Sequence, residues 1–146
     1  MPWGTHFCHF YETKQDLLEI LVPYFRAGLE HNEFCLWVIA APLTGVEAAR
    51  ALQRAVPDLE QHLADRRMEI QVIGKTAGKA LRQAIPNLEH NLDRRSVEII
   101  PHDQWYLKGG DFDSLRVLKS WKAKLKEALA RGYAGMRVHG NEAWLR

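Results

Sequence analysis

Three side chains that can bind a metal or a polar ligand lie close together near the start of the chain: His6, Cys8 and His9. Imidazoles and a thiolate are ligands that zinc accepts, but a zinc site would need at least one further ligand. Cys35 could supply it if the two segments pair. The alternative is that both cysteines are small buried side chains, as free cysteine usually is. The segment therefore predicts either a metal site or polar groups for a bound molecule.

Aromatic residues suggest a second kind of chemistry. Four of them come at or shortly after the carboxyl end of a predicted strand: Tyr11, Trp105, Tyr106 and Trp144. Open parallel sheets bind ligands just beyond these ends, in pockets with rigid apolar walls and a few polar groups. The alternative, that the aromatic side chains only cover the core and the sheet edges, is equally open. The predicted ligand-binding residues are His6, Cys8, His9, Tyr11, Trp37, Trp105, Tyr106, Arg137, Asn141 and Trp144.

Catalytic motifs are absent from the sequence. The run Ile73-Gly74-Lys75-Thr76 ends like a phosphate-binding loop, but Glu69 occupies the position that needs the first glycine. A dinucleotide-binding glycine fingerprint is also missing, as are a nucleophile motif and a distinct carboxylate pair. We therefore expect no enzymatic activity and no cofactor.

Apolar patterning predicts the elements that position these residues. Strands are predicted at 6–11, 34–40, 68–73, 97–101 and 135–139, and helices at 16–29, 44–55, 59–66 and from 113 or 114 to 131. The last helix carries one apolar face, formed by Leu115, Leu118, Trp121, Leu125 and Leu129. Because strands alternate with helices, we expect a three-layer α/β domain with a mainly parallel sheet flanked by helices.

Composition limits the class of protein. The 146 residues fit one domain, with 47% hydrophobic and 26% charged residues and a formal charge of +2. This balance gives no basic face for direct nucleic-acid binding, and no apolar run is long enough to span a membrane. Two cysteines and the lack of a secretory signal favour the cytoplasm.

A repeated segment stands out from this ordinary pattern. Residues 51–70 and 80–99 align at a fixed offset of 29, with ten of 20 pairs identical, including Pro57 with Pro86 and Glu69 with Glu98. This predicts a duplicated helix–strand unit inside a single domain, 1–146. Either the second copy enlarges one side of the sheet, or the two copies compete for one position and one is displaced outward.

Nearly the whole chain, apart from the 29-residue insertion, resembles the MEDS domain, a sensory domain named for methanogens, methylotrophs and a dichloromethane-responsive repressor. The resemblance lies in the start, His6-Phe-Cys-His-Phe-Tyr-Glu12, in Trp105-Tyr106, and in Arg137-Val-His-Gly-Asn141-Glu-Ala-Trp144. It implies a sensor of small hydrocarbon derivatives in prokaryotic signalling or transcriptional regulation. It further implies that the fold is related to RecA/KaiC-type P-loop ATPases but has lost the phosphate-binding loop. Residues 11–16 stand where that loop would be.

The leading hypothesis is a non-catalytic sensory domain that binds a small organic ligand and signals through a partner kinase or regulator, or through self-association. One alternative is a degenerate nucleotide- or metal-binding domain with residual catalysis. Another is an interaction module that forms a homodimer through the duplicated segment.

Overall fold

The computed structural model describes residues 4–6, 8–73, 83–84, 87–93, 97–100 and 113–140. Its helices are α1 (Lys14–Glu30), α2 (Gly45–Ala55), α3 (Leu59–Ala64), α4 (Leu88–Asp93) and α5 (Ser114–Ala130). Its strands are β1 (Phe34–Ile39), β2 (Met68–Ile73), β3 (Val97–Ile100) and β4 (Met136–His139). No helix in the described ranges is long and apolar enough to cross a membrane.

The four strands form one parallel sheet in the order β3-β2-β1-β4. In the central strand, Trp37 pairs with Ile70 of β2 on one side and with His139 of β4 on the other. The chain adds β2 and β3 on one side of β1 and then returns to place β4 on the other side. The strand order therefore reverses between β1 and β4, which is the topological switch point of the sheet.

Strand β1 is buried on both faces, which explains its continuous apolar run. Cys35, Trp37 and Ile39 face a large core with α1, α2 and α3, whereas Phe34, Leu36 and Val38 belong to a second core with α5. Helices thus cover both faces of the sheet, and the predicted α/β architecture with a parallel sheet flanked by helices is confirmed.

Helices α1 and α2 begin with the same local device. Thr13 and Thr44 each accept a hydrogen bond from the third residue of the following helix, and the Asp16 and Glu47 side chains bond back to the cap backbone. This reciprocal capping satisfies amide groups that a helix start would leave unpaired. Lys14 of α1 also pairs with Glu47 of α2 at 2.9 Å, so the two helix starts lie side by side.

The predicted first strand is wrong for the residues that can be checked. His6 and 8–11 have no strand pairing in the structure, although aromatic residues there favour a strand. Strand propensity depends on packing against neighbours. Here Tyr11 packs against the core beside α1 instead of pairing in the sheet.

The apolar face predicted for the last helix packs on the sheet only in part. Trp121 of that face contacts the second core, together with Val117 and Ala128, whereas Leu115, Leu118 and Leu129 are exposed. The leucines lie on a stripe rotated away from the sheet. Apolar spacing alone detected the helix but not its orientation.

Helices α3 and α4 begin 29 residues apart, as do strands β2 and β3. The last residues of the two helices, Ala64 and Asp93, have the same separation. Asn87, just before α4, donates a hydrogen bond to Glu60 of α3. Both helix–strand units therefore lie side by side in one sheet, and β3 forms its outer edge.

Candidate functional site

The carboxyl end of β4 lies at the switch point, next to the start of α1. Because α1 leads into the amino end of β1, its own start lies at the carboxyl edge of the sheet. Helix α1 packs against both β1 and β4. Crevices of this kind are where open parallel sheets bind their ligands.

Three ring side chains lie at this edge and form what we call the imidazole cluster: His9, Tyr11 and His139. The rings of His9 and Tyr11 are 5.9 Å apart between centroids. His9 acts electrostatically on His139 at the end of β4 and on Asp16 in the first turn of α1. It therefore lies near both the helix start and the strand end.

The two imidazoles leave polar atoms without partners. The Nδ1 atoms of His9 and His139 are buried, and neither has a hydrogen-bond partner in the part of the chain that the structure describes. A buried polar atom without a partner costs about 1–3 kcal/mol. Other buried side-chain atoms of the described residues share this condition, Trp121 Nε1 among them, but His9 and His139 combine it with a position at the switch point, where a bound group could satisfy both.

Burial sets the charge of His139. It lowers the pKa of His139 to about 4, with a smaller contribution from the nearby His9. His139 is therefore neutral at pH 7, and its ring can donate a hydrogen bond from one nitrogen and accept one at the other. The site suits a neutral polar group better than a strongly charged one.

The start of α1 is already occupied by the protein's own groups. The Asp16 carboxylate accepts hydrogen bonds from the backbone N–H groups of Glu12 and Thr13, at 3.2 and 2.9 Å. These bonds lower the pKa of Asp16, so the carboxylate is charged at neutral pH. An anion and its hydrogen bonds thus take the place where a phosphate would bind.

Arg137, a predicted ligand anchor, is engaged inside the fold. Its guanidinium forms two hydrogen bonds with buried Glu33, donates a third to the carbonyl of Tyr24 at 2.9 Å, and lies 5.0 Å from the Tyr24 ring. Pairing with Glu33 raises the pKa of Arg137. Gly28 makes room for this arrangement, since a Cβ there would lie 2.7 Å from Arg137 Cδ. Arg137 therefore joins α1 to the sheet.

The two cysteines lie in different environments, which does not favour a shared metal site. Cys8 is exposed, whereas Cys35 is fully buried and pairs in register with Arg137. Burial raises the pKa of the Cys35 thiol to about 12, so it stays protonated. Within the described ranges, no three His, Cys, Asp or Glu side chains form a group that could hold a metal ion.

The other predicted site residues fall into three groups. Trp37 is 1% exposed and stacks on Phe25 at 5.0 Å, so it is a core side chain behind the edge rather than a pocket wall. His6 is exposed to solvent. Four predicted residues lie outside the described residues: Trp105, Tyr106, Asn141 and Trp144.

Sequence reasoning missed His139 as a site residue. Its position at the end of the last strand was a usable signal, because that is where ligands contact a parallel sheet. Its proximity to His9 was not predictable, because the chain from 6 to 11 was expected to form a strand.

A second polar cluster lies on the α5 face of the sheet. Glu69 of β2 is buried and pairs with Lys124 of α5 and, at 3.4 Å, with Arg66. Lys124 and Glu69 also line a shallow groove beside Phe34 and Arg131. Because these charges satisfy one another, the cluster joins α5 to the sheet.

A parallel α/β domain with polar groups at its switch point belongs to a class of folds that often bind small molecules. The comparison with protein families makes this specific: the MEDS model, described as the methanogen/methylotroph, DcmR sensory domain, matches residues 5–79 and 72–146. The chain belongs to the MEDS family of sensory domains. Neither the curated proteins nor the solved structures compared with the chain gave a significant match.

The two matched ranges divide the repeat between them. The first range contains the copy at 51–70, and the second contains the copy at 80–99. The ranges overlap only at 72–79, a segment between the two copies. Each match to the family model thus includes one helix–strand unit.

Proposed function

We propose that this protein is a non-catalytic sensory domain that binds a small organic ligand at the carboxyl edge of its sheet, between β1 and β4. The observation that carries the proposal is the imidazole cluster, in which His9 and His139 present buried Nδ1 atoms without partners at the switch point. Membership of a sensory family supports the same function.

The ligand that fits this chemistry is small, largely apolar and carries one neutral polar group. Neutral His139 offers a donor or an acceptor without a strong field, and Tyr11 adds an aromatic surface. Short hydrocarbon derivatives such as alcohols and halogenated alkanes have this character. Four predicted residues complete the proposed pocket: Trp105, Tyr106, Asn141 and Trp144.

Trp37 and Arg137 take a supporting role in this proposal. Trp37 fills the core below the edge, and Arg137 holds α1 against β4 through Glu33 and the Tyr24 carbonyl. A ligand that displaces α1 would disturb this connection. Arg137 therefore links the pocket to the helix rather than contacting the ligand.

Nucleotide binding is less well supported, even if the fold descends from RecA/KaiC-type P-loop ATPases. The descent is consistent with α1 beginning at the carboxyl edge of a parallel sheet, where a phosphate-binding helix would begin. However, the Asp16 carboxylate already accepts hydrogen bonds from the backbone N–H groups of Glu12 and Thr13. A phosphate at that position would meet a negative charge.

We also propose that 51–70 and 80–99 are a tandem duplication, and that the second unit widens the sheet. Matching helix and strand positions, together with one copy in each family match, support this. The duplicated units leave the edge between β1 and β4 unobstructed because β3 lies at the opposite side of the sheet.

The ligand proposal is tested by screening short alcohols and halogenated alkanes for thermal stabilisation and tryptophan fluorescence changes. A binder should lose about tenfold or more in affinity in His9→Asn and His139→Asn, because each variant removes an imidazole from the cluster. His31→Asn, on an exposed side chain at the other end of α1, is the matched control. A folded protein that responds to none of these compounds would sink the proposal.

Fluorescence also locates the pocket. If Trp105 and Trp144 form its walls, Trp105→Phe or Trp144→Phe should remove the ligand-induced change. Trp121→Phe, on the opposite face of the sheet, should leave it intact. Stabilisation by ATP with Mg²⁺, or by Zn²⁺, without a response to organic compounds would favour the nucleotide- or metal-binding alternative.

A further inference from the structure

Helix α5 presents an apolar stripe to solvent. Leu115 is 66% exposed, Leu118 46% and Leu129 52%, and partly buried Leu125 lies between them on the same side. Exposed leucines are ordinary when scattered, but these four lie along one side of a single helix. Nothing in the proposed ligand-binding function uses this surface.

The spacing of the stripe is that of a helix–helix seam. From Leu115 the positions advance by three, four, three and four residues, through Leu118, Lys122 and Leu125 to Leu129. This is the a and d pattern by which one helix packs against another. The stripe is narrow, because the side of α5 that contacts the sheet is formed by Val117, Trp121 and Ala128.

Charge identifies the kind of helix that fits. Helix α5 carries five basic residues and a single acidic one, Glu127. Lys119, Lys122 and Lys126 are exposed and lie within or beside the stripe, whereas Lys124 is engaged with Glu69. A partner helix with acidic flanks and an acidic residue opposite Lys122 would complement this surface.

The same charges disfavour two other occupants. Lys122 is at an a position, so a second copy of α5 packed in parallel would place Lys122 against its equivalent. In the antiparallel orientation the two helices would still bring together five basic residues each, against one glutamate each. A membrane surface would meet a lysine in the middle of a narrow apolar stripe, whereas membrane-bound helices present a broad apolar face.

We propose that the exposed face of α5 docks an acidic amphipathic helix of a partner protein, with Leu118 and Leu125 in the seam and Lys122 paired with a carboxylate. This gives the domain a surface for its output, on the face of the sheet opposite α1, α2 and α3. The proposal does not depend on which ligand the sensor binds.

The test uses the full chain and a labelled synthetic peptide of three heptads with leucine at a and d, glutamate at e and g, and glutamate at the central a position. Fluorescence anisotropy measures binding, and circular dichroism measures helix gained by the peptide. We expect saturable binding, weakened about tenfold or more by Leu118→Ser and by Lys122→Glu. Both substituted side chains are exposed, so both variants should fold.

Matched controls separate the seam from general attraction between opposite charges. Arg54→Glu changes the net charge as Lys122→Glu does, but lies on α2, and should alter affinity less than about twofold. A peptide whose central glutamate is lysine should bind Lys122→Glu better than it binds the unsubstituted protein.

Four results would overturn the proposal. The first is that the protein does not bind the acidic peptide, and the second is that Leu118→Ser binds it as tightly as the unsubstituted protein does. The third is that the protein self-associates and the fourth is that it binds vesicles with anionic lipid, in each case through an interaction that Leu118→Ser abolishes. The third would assign the stripe to a second copy, and the fourth to a membrane surface.

Discussion

At the scale of single residues, neighbours decide what a reactive side chain does. Arg137 has the chemistry of a ligand anchor, yet its hydrogen bonds go to Glu33 and to the Tyr24 carbonyl. Cys35 has the chemistry of a metal ligand, yet burial keeps it protonated. His139, unremarkable in the sequence, becomes a candidate because folding brings it near His9.

Removing Arg137 should therefore cost stability. Arg137→Met leaves the Glu33 carboxylate buried without its cation, which costs about 3 kcal/mol or more of unfolding free energy. The control is Arg26→Met, which breaks the exposed Arg26–Glu30 pair at 2.8 Å and should cost less than about 0.5 kcal/mol. Urea denaturation measures both. Equal losses in the two variants would contradict a structural role for Arg137.

The depressed pKa of His139 predicts a stability that depends on pH. The unfolded chain takes up a proton near pH 6.5, but the folded protein resists it until about pH 4. This contribution to stability is therefore complete above pH 6.5 and is lost as the pH falls towards 4, by about 2 to 3 kcal/mol.

Unfolding measured across this pH range should show a shallower dependence in His139→Asn. Burial also lowers the pKa of His62, in the same direction, so the comparison is best made in a His62→Asn background. Asparagine is a reasonable substitute for His62 because the residue that corresponds to His62 in the second copy is the buried Asn91. An unchanged pH dependence in His139→Asn would show that this imidazole is not protected from protonation.

At the scale of elements, the sequence predicts most helices and strands and their type, but not the surfaces against which they pack. The strand expected at 68–73 is β2, and Thr44 and Asp113, which stand where two helices are expected to start, cap α2 and α5. These follow from local patterns and from capping chemistry. By contrast, the expected strand at 6–11 and the outward rotation of the α5 leucines depend on which surfaces meet after folding.

The capping box of α1 predicts a specific cost. Thr13→Ala removes the side-chain oxygen that accepts from the Asp16 N–H at 3.2 Å, and should lower the unfolding free energy by about 1 kcal/mol. Gln15→Ala changes an exposed residue in the first turn of the same helix and should alter the unfolding free energy by no more than about 0.5 kcal/mol. Thermal or urea unfolding compares them, and a Thr13 effect no larger than the Gln15 effect would rule out a working cap.

At the scale of the whole molecule, the sequence repeat predicted a feature that single motifs could not. It left open whether the second unit enlarges the sheet or is displaced outward. The structure places β3 at the sheet edge beside β2, in register from Ile70 with Val97. The candidate site was less predictable as a whole, because it depends on the long-range approach of His9 to β4 and partly on residues outside the described ranges.

If the two units are true duplicates, one should be dispensable. Deleting 68–96 joins Arg67 to Val97 and removes 29 of the 146 residues while keeping the helix–strand spacing. Val97 then takes the place of Met68, and Glu98 takes the place of Glu69 opposite Lys124. We expect a folded domain with a cooperative, lower-temperature unfolding transition and with ligand binding retained.

The control deletion removes 65–96 and joins Ala64 to Val97, so the three-residue connection between helix and strand is missing. The first three strand residues must then form the connection, and a shift by an odd number of residues moves the apolar side chains of the strand to the opposite face, so this variant should lose the native core. Near-ultraviolet circular dichroism, which reports on buried Trp37 and its stacked neighbour Phe25, distinguishes the two outcomes. If both deletions unfold the protein, the second unit is an integral part of the sheet, and the duplication proposal loses its prediction that one copy can replace the other.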